Sequence, residues 1–174
     1  MQYDPKQTNS PPAPIEPTGF FTGIQFRPIV MGVIVDTLAT MALTTAYYSF
    51  VVAKNLAGKG VGEDNAFAEY WASSDGLMAS LLLGSLGTLI GGFYAAYKAG
   101  ALEMKHGALV GIGSILLGLL LTGGAESQTP EWFMALSFAA AIPAGALGGF
   151  LAEMFKSAAG KGRSSQSPGW PGPS

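Results

Sequence analysis

The sequence predicts an all-α fold in which four helices cross a lipid bilayer as a bundle. Of the 174 residues, 49% are hydrophobic and only 11% are charged, whereas an ordinary soluble domain has about 25% charged residues. The mean hydropathy is +0.35, and four apolar stretches approach the roughly 20 residues that a helix needs to cross the hydrocarbon core. Because so few charges accompany these stretches, we expect an integral membrane protein rather than a soluble helical bundle.

The predicted spans cover residues 29–53, 77–97, 107–124 and 132–155. Pro28 opens the first span, where its missing N–H costs nothing. Residues 73–75 (Ser-Ser-Asp) supply N-cap candidates before the second span, and residues 129–131 (Thr-Pro-Glu) mark the start of the fourth. The spanning domain therefore covers residues 28–156.

The two ends of the chain differ in composition from the spans. Residues 1–27 hold five prolines, and residues 157–174 are rich in Gly, Ser and Pro, so we expect two disordered tails. Between the first two spans, residues 64–73 predict a short helix on the membrane surface, because Phe67, Tyr70 and Trp71 fall on one helix face.

Basic residues predict the orientation, because loops that carry Lys and Arg near a span stay in the cytoplasm. Seven of the nine basic residues fall on the side of the two termini: Lys6, Arg27, Lys98, Lys105, Lys156, Lys161 and Arg163. Lys54 and Lys59 fall on the other side, in a loop that also carries acidic residues. We therefore expect a multi-pass protein of the cell (inner) membrane with both termini in the cytoplasm.

Small residues recur at helical spacing in three of the spans. The three stripes are Ser80, Gly84, Gly87 and Gly91; Gly107, Gly111, Ser114 and Gly118; and Ala141, Gly145, Gly148 and Ala152. Such faces let helix backbones approach closely, which drives helix association in lipid. The stripes predict helix packing, and their number favours association with a second copy of the chain or with a larger membrane complex.

A short internal similarity links the second and fourth spans. Gly-Gly-Phe-Tyr-Ala at residues 91–95 corresponds to Gly-Gly-Phe-Leu-Ala at residues 148–152. One interpretation is a helical hairpin repeated in parallel, as in transporters whose sites lie between repeats. The other is convergence on a common way of ending a helix, and the sequence does not choose between them.

The second and third spans also carry a family resemblance. Residues 91–100 (Gly-Gly-Phe-Tyr-Ala-Ala-Tyr-Lys-Ala-Gly) are followed at residues 106–111 by His-Gly-Ala-Leu-Val-Gly. This pattern resembles one found in small uncharacterised bacterial four-span membrane proteins, although Ala96 stands where those proteins often carry a glycine. The resemblance covers residues 91–111 only. It implies a small integral membrane protein of bacterial type and implies no activity.

Asp36 is the most informative polar position. It lies eight residues after Pro28, or about 12 Å along the helix, where an unpaired carboxylate costs about 3 kcal/mol. Thr40 and Thr44 follow at helical spacing and extend a polar stripe. The stripe either lines a path for protons or ions, with Asp36 as the titrating group, or Asp36 is a structural anchor bonded to a hydroxyl or a lysine. We favour the anchor, because a pump generally needs a relay of ionisable groups within the membrane and the predicted spans supply only one such group.

Two charged positions near the predicted cytoplasmic surface complete the candidates. His106 opens the third span, and its favoured interpretation is a hydrated loop end; the alternatives are a pH sensor and a partner for Asp36. Glu153 precedes Lys156 by three residues, which predicts an ordinary ion pair on the helix surface.

Several function classes are excluded by what the sequence lacks. With no Cys and one His, the chain has no disulfide, thiolate nucleophile, Cys-ligated metal or multi-His metal site. Its glycine-rich stretches lack phosphate-loop spacing, and it has no nucleophile elbow. We therefore expect no enzyme, no metal, no cofactor and no nucleic-acid partner. The predicted function is a small structural or accessory membrane subunit that packs through Gly/Ala faces; the alternative is a small ion or proton channel or transporter that uses Asp36.

Overall fold

The structure, a computed structural model, describes residues 21–54, 63–122 and 130–164. Five α-helices account for almost all of these residues: α1 (Phe26–Tyr47), α2 (Glu63–Ala72), α3 (Ser74–Ala99), α4 (Glu103–Thr122) and α5 (Glu131–Ser164). A π-helical turn, Tyr48–Val52, continues α1. The described ranges contain no strand, and the predicted all-α class is confirmed.

Four of the helices are long and apolar enough to cross a membrane. They are α1 with its π-helical turn, α3, α4 and α5. A helix satisfies its own backbone hydrogen bonds, which is what a segment surrounded by hydrocarbon requires. The chain is therefore a multi-pass membrane protein by the length and composition of its helices.

The helices differ from the predicted spans mainly at their ends. The first three spanning helices begin three or four residues earlier than predicted, at Phe26, Ser74 and Glu103, and α5 continues to Ser164 rather than ending near residue 156. The segment expected to be a disordered tail from residue 157 thus begins as helix. Residues 21–27, the last part of the first predicted tail, form a turn and the start of α1. Residues 1–20 and 165–174 of the predicted tails, and the predicted end of the third span at residues 123–124, lie outside the described residues.

Local sequence explains where α3 begins and ends. The Ser73 side chain accepts a hydrogen bond of 3.2 Å from the Gly76 N–H, which satisfies one of the free donors in the first turn. At the other end, Gly100 has a φ of 74°, a left-handed conformation that glycine adopts without steric cost. The turn from Gly100 to Leu102 then reverses the chain into α4.

The bundle has two ends, which we call the terminal end and the distal end. At the terminal end α1 and α4 begin and α3 and α5 finish; at the distal end the reverse holds. Helix α3 occupies the centre, since it packs against α1, α4 and α5. Its most extensive neighbour is α5, which runs parallel to it.

Helix backbones touch one another in the terminal half of the bundle. A Cβ atom built on Gly91 would lie 2.5 Å from the Gly32 carbonyl oxygen of α1. A Cβ on Gly92 would lie 2.5 Å from the Gly145 carbonyl oxygen of α5. Real Cβ atoms essentially never come this close, so these positions need glycine.

Both Gly-Gly doublets are used in the same way. In α3, Gly91 faces α1 and Gly92 faces α5; in α5, Gly148 faces α3 and Gly149 faces α4. Each doublet therefore lets one helix approach two neighbours at the same level. Whether this shared geometry descends from a repeated hairpin stays a prediction.

The three predicted stripes divide between packing and open space. Six members have another helix of the bundle against them: Gly87, Gly91, Gly107, Gly111, Gly145 and Gly148. Ser80, Gly84, Ser114, Gly118 and Ala141 line a cavity in the distal half, and Ala152 is fully buried. About half of the stripe positions thus pack within a single bundle, and association with a second copy or a larger membrane complex stays a prediction.

The predicted surface helix is present as α2, and its aromatic face contacts the end of α1. The hydroxyls of Tyr70 and Tyr47 share a hydrogen bond of 2.8 Å. Phe67 packs edge-on against Tyr48, with ring centroids 4.8 Å apart. These contacts fix α2 beside the distal ends of α1 and α3.

We expect substitution by alanine to destabilise the bundle at Gly111 of α4 but not at Gly118 of the same helix. Gly111→Ala places a methyl group against the Ala141 carbonyl and 2.9 Å from the Ile142 Cα, and it should lower the free energy of unfolding by about 1–3 kcal/mol. Gly118→Ala meets nothing within 4 Å and should leave stability unchanged or raised. Reversible unfolding in detergent micelles measures both variants, and equal effects would contradict packing through Gly111.

Candidate functional site

A cavity of about 310 Å³ occupies the distal half of the bundle. All four spanning helices line it, and it is open to the surface of the bundle, where the exposed Met41 and Leu121 belong to its wall. The volume is sufficient for several water molecules. This cavity is where the helices diverge beyond the close-packed glycines.

The wall of the cavity carries hydroxyl groups from all four spanning helices. Each spanning helix contributes at least one: Thr37 and Thr40 from α1; Ser80, Ser85 and Thr88 from α3; Ser114 from α4; and Ser137 from α5. Within the part of the chain that the structure describes, Asp36 is the one ionisable residue in the lining. The cavity surface is mainly apolar, with scattered hydroxyl groups and a carboxyl group at its inner limit.

The Asp36 carboxyl group is bound by hydroxyls from three helices. It is 5% exposed. Thr40 Oγ1 donates to its Oδ1 over 3.3 Å, and Thr88 Oγ1 donates to its Oδ2 over 3.1 Å. The Ser114 hydroxyl also donates to Oδ2. Asp36 thus connects α1 with α3 and α4, as the hydroxyl-bonded version of the anchor interpretation expects.

Glycines of α3 make room for this carboxyl group. A Cβ on Gly87 would lie 2.9 Å from Asp36 Oδ1, and a Cβ on Gly91 would lie 2.7 Å from the Asp36 Cβ. Side chains at these positions would therefore displace the carboxyl group. The same stripe that packs α3 against α1 determines where the carboxyl group can lie.

Two of the three hydroxyl donors have a second acceptor within their own helix. Thr88 Oγ1 lies 3.0 Å from the Gly84 carbonyl oxygen, and Ser114 Oγ lies 3.0 Å from the Val110 carbonyl oxygen. A hydroxyl has one proton and two acceptor lone pairs. Each hydroxyl can therefore turn its proton from the carboxyl group to the helix backbone without losing a partner.

The cavity is closed on the terminal side of Asp36. A Cβ on Gly32 would lie 2.7 Å from Val110 Cγ2 and 2.8 Å from the Ala95 Cβ. Ala95 and Val110 are both fully buried. This layer leaves no continuous passage from Asp36 to the terminal end.

His106 lies beyond that layer and is fully buried, so the expectation of a hydrated loop end is wrong. Its Nε2 accepts from the Gln25 backbone N–H over 3.0 Å, and its Nδ1 lies 3.0 Å from the Leu102 carbonyl oxygen. A carbonyl only accepts, so Nδ1 carries the proton and donates it. The imidazole fastens the start of α1 to the start of α4, and the Gln25 side chain donates to the Ala99 carbonyl over 3.0 Å.

Asp36 and His106 do not form a pair. Ser114 of α4 contacts Asp36, and His106 precedes Ser114 by eight residues, which corresponds to about 12 Å along the helix. Each of the two side chains has its own set of partners. The geometry therefore offers no acid–base dyad of these two groups.

Lys156 closes the terminal end between three helices. Its Nζ lies 3.1 Å from Glu103 Oε1 and donates to the Ala96 carbonyl over 2.9 Å. The predicted partner, Glu153, is exposed, and the ion pair of Lys156 instead joins α5 to the start of α4. The expectation of a pair within one helix is corrected by an interhelical contact.

The polar stripe of the first span is shorter than predicted. Thr40 lines the cavity, but Thr44 lies outside its lining, and Thr37 takes part instead. Lys98, one of the lysines considered for Asp36, lies over the Tyr94 ring, with its Nζ 5.9 Å from the ring centroid. The hydrogen bonds described for Asp36 come from hydroxyls rather than from an amine.

Sequence reasoning missed the role of Thr88 and recognised Ser114 only as a packing residue. A usable signal was present, because the second and third predicted spans each carry a hydroxyl residue near their midpoint, Thr88 and Ser114. In the described residues, no group of three or more His, Asp or Glu side chains could hold a metal ion.

Comparisons with protein-family models, curated proteins and solved structures give no match to this chain.

We expect Ser114→Ala to destabilise the bundle more than Ser137→Ala. Ser114 donates to a buried carboxyl group, and losing such a bond costs about 1–3 kcal/mol. Ser137 lines the same cavity without a described hydrogen bond to Asp36. Unfolding in detergent micelles compares the two, and equal stabilities would contradict the anchoring role of the Ser114 hydroxyl.

Proposed function

We propose that this small multi-pass membrane protein is a transporter of protons or small monovalent cations that uses Asp36 as its binding group. The observation that carries the proposal is the position of Asp36, which among the described residues is the one ionisable group in a hydroxyl-bearing cavity that is closed on its terminal side. Ionisable residues inside membrane spans are costly, and in membrane proteins they generally mark ion or proton pathways.

The charge of the lining favours a cation over an anion. The described residues of the lining include one carboxyl group, seven hydroxyl residues and no basic residue. An anion would therefore meet a group of its own sign and no compensating charge. A proton or a small cation would neutralise the carboxylate in a poorly hydrated site.

The hydroxyl groups can adapt to a bound cation. When Thr88 and Ser114 direct their protons to the Gly84 and Val110 carbonyls, 3.0 Å away in both cases, their oxygens present lone pairs to the site. Carboxylate and hydroxyl oxygens are suitable ligands for hard cations. When no metal cation is bound, the same protons return to the carboxyl group.

The one-sided cavity supports transport by alternating access rather than through an open pore. The layer formed by Gly32, Ala95 and Val110 separates Asp36 from the terminal end. Release on that side requires the helices to part there, where His106 and Lys156 hold them together. With both termini in the cytoplasm, as the basic residues predict, uptake would occur from outside the cell.

The second candidate is the non-enzymatic structural or accessory role. It is favoured by the hydrogen bonds of Asp36 to α3 and α4, which would stabilise a bundle without any transported ion. The exposed aliphatic side chains of the spanning helices, such as Leu82, Leu116 and Leu120, are the surface that a partner within the membrane would bind.

Ion flux into proteoliposomes separates the two candidates. The wild-type protein should conduct protons, sodium or potassium, followed with a pH-sensitive or a cation-sensitive dye, and Asp36→Asn should reduce that flux at least about tenfold, since a neutral amide neither titrates nor attracts a cation. Glu153→Gln, which removes an exposed carboxylate near the terminal end, is the matched control and should conduct normally.

The outcomes assign the function. The dye that responds identifies the ion. Equal flux in wild type and Asp36→Asn would contradict the role of Asp36, and absence of flux in a folded wild-type protein would favour the structural role. Unfolding of Asp36→Asn in micelles verifies that any loss of flux occurs in a folded bundle.

A further inference from the structure

A second recess lies at the distal end, outside the Asp36 cavity. The end of α1, helix α2 and the first turns of α3 form a groove of about 830 Å³, which we call the distal groove. Tyr47, Tyr70 and Asp75 line its polar end, and Met78, Leu82 and Leu86 line its apolar side. It shares no lining residue with the Asp36 cavity.

The polar end of the distal groove has negative character. Of the residues that the structure describes, Asp75 is the one charged residue in the lining, and it is exposed in the first turn of α3. Desolvation, followed by the hydrogen bond to Tyr47 and the charges of Tyr47 and Asp75, raises the pKa of Tyr70 to about 12. The exposed Asp75 carboxylate therefore attracts a positive group to this end of the groove.

The same end also offers a hydrogen-bond donor. The Tyr47 and Tyr70 hydroxyls share one hydrogen bond of 2.8 Å, which uses one of their two protons. The remaining proton is available to an acceptor in the groove. The polar end therefore combines a carboxylate with a hydroxyl donor.

The apolar side continues from this end toward the middle of the bundle. Met78, Leu82 and Leu86 are exposed and follow one another every four residues along α3, so they form one row on the helix surface. Val51 of the π-helical turn provides part of the opposite wall. The groove is thus polar at the distal end and apolar toward the middle of the bundle. A lipid molecule in the membrane has the same order, with its headgroup at the surface and its acyl chains toward the middle.

We propose that the distal groove binds one phospholipid with a primary-amine headgroup, that is, a phosphatidylethanolamine. The ammonium group lies at the Asp75 carboxylate, the free tyrosine proton is donated to the phosphate, and an acyl chain lies along Met78, Leu82 and Leu86. A primary ammonium donates charge-assisted hydrogen bonds. A choline headgroup has no N–H to donate, and an anionic glycerol headgroup is repelled by Asp75.

Bromine quenching of tryptophan fluorescence tests this proposal. The Trp71 ring lies 5.2 Å from the Tyr70 ring, centroid to centroid, so it reports on the polar end of the groove. Trp132→Phe and Trp170→Phe leave Trp71 as the only tryptophan. The protein is placed in nanodiscs of equal parts phosphatidylethanolamine, phosphatidylcholine and phosphatidylglycerol, with bromine on the acyl chains of one lipid at a time.

Brominated phosphatidylethanolamine should quench Trp71 about two- to fivefold more than the other two lipids, the range expected for an exposed ion pair. Asp75→Asn should abolish the preference, Asp75→Glu should restore it, and Glu69→Gln, a neighbouring acid outside the groove lining, should keep it. Equal quenching by the three lipids, or a preference that survives Asp75→Asn, would overturn the proposal. Asp36→Asn should keep the preference, because the distal groove is separate from the ion site.

Discussion

Contact between helix backbones in the terminal half of the bundle is the constraint on which the other features depend. Gly91, Gly92 and Gly145 bring α3 against α1 and α5 at distances that a side chain would not allow. In lipid, burial of apolar surface contributes little to the free energy of helix association. Close approach of the helix backbones therefore has to supply that free energy. Polar contacts then fasten the same end, through His106 with Gln25 and Lys156 with Glu103. The terminal half is therefore both densely packed and polar at its edge.

In the distal half, small residues of the same stripes line a cavity instead of packing against a neighbouring helix. Once the helices are held together at one end, Gly84, Gly118 and Ser114 no longer meet a neighbouring backbone and instead line open space. Small residues thus allow close helix packing in the terminal half and leave a cavity in the distal half. Asp36 lies at the boundary between the two, where glycines leave room for its carboxyl group and hydroxyls satisfy it.

This division also relates the two proposals to each other. The ion site depends on the boundary between dense packing and cavity, so any movement that opens the terminal side must separate glycines that are now in backbone contact. The distal groove depends instead on α2, which is fixed by Tyr47 and Tyr70 beside α3. An amine lipid in that groove would lie against α3, the helix that also lines the ion cavity and contacts every other spanning helix.

The sequence by itself determined that the helices lie in lipid, how many of them span it and which helix faces carry small residues. These features follow from hydropathy and from the helical period of 3.6 residues, which are local properties of a chain. It also identified Asp36 as the unusual group and the aromatic face of α2. It could not determine which neighbour each face meets. The burial of His106, the pairing of Lys156 with Glu103 and the roles of Thr88 and Ser114 at Asp36 depend on the relative rotation and depth of helices far apart in the chain. Only the tertiary structure fixes those quantities, because interhelical contacts arise from three-dimensional positions that no single helix encodes.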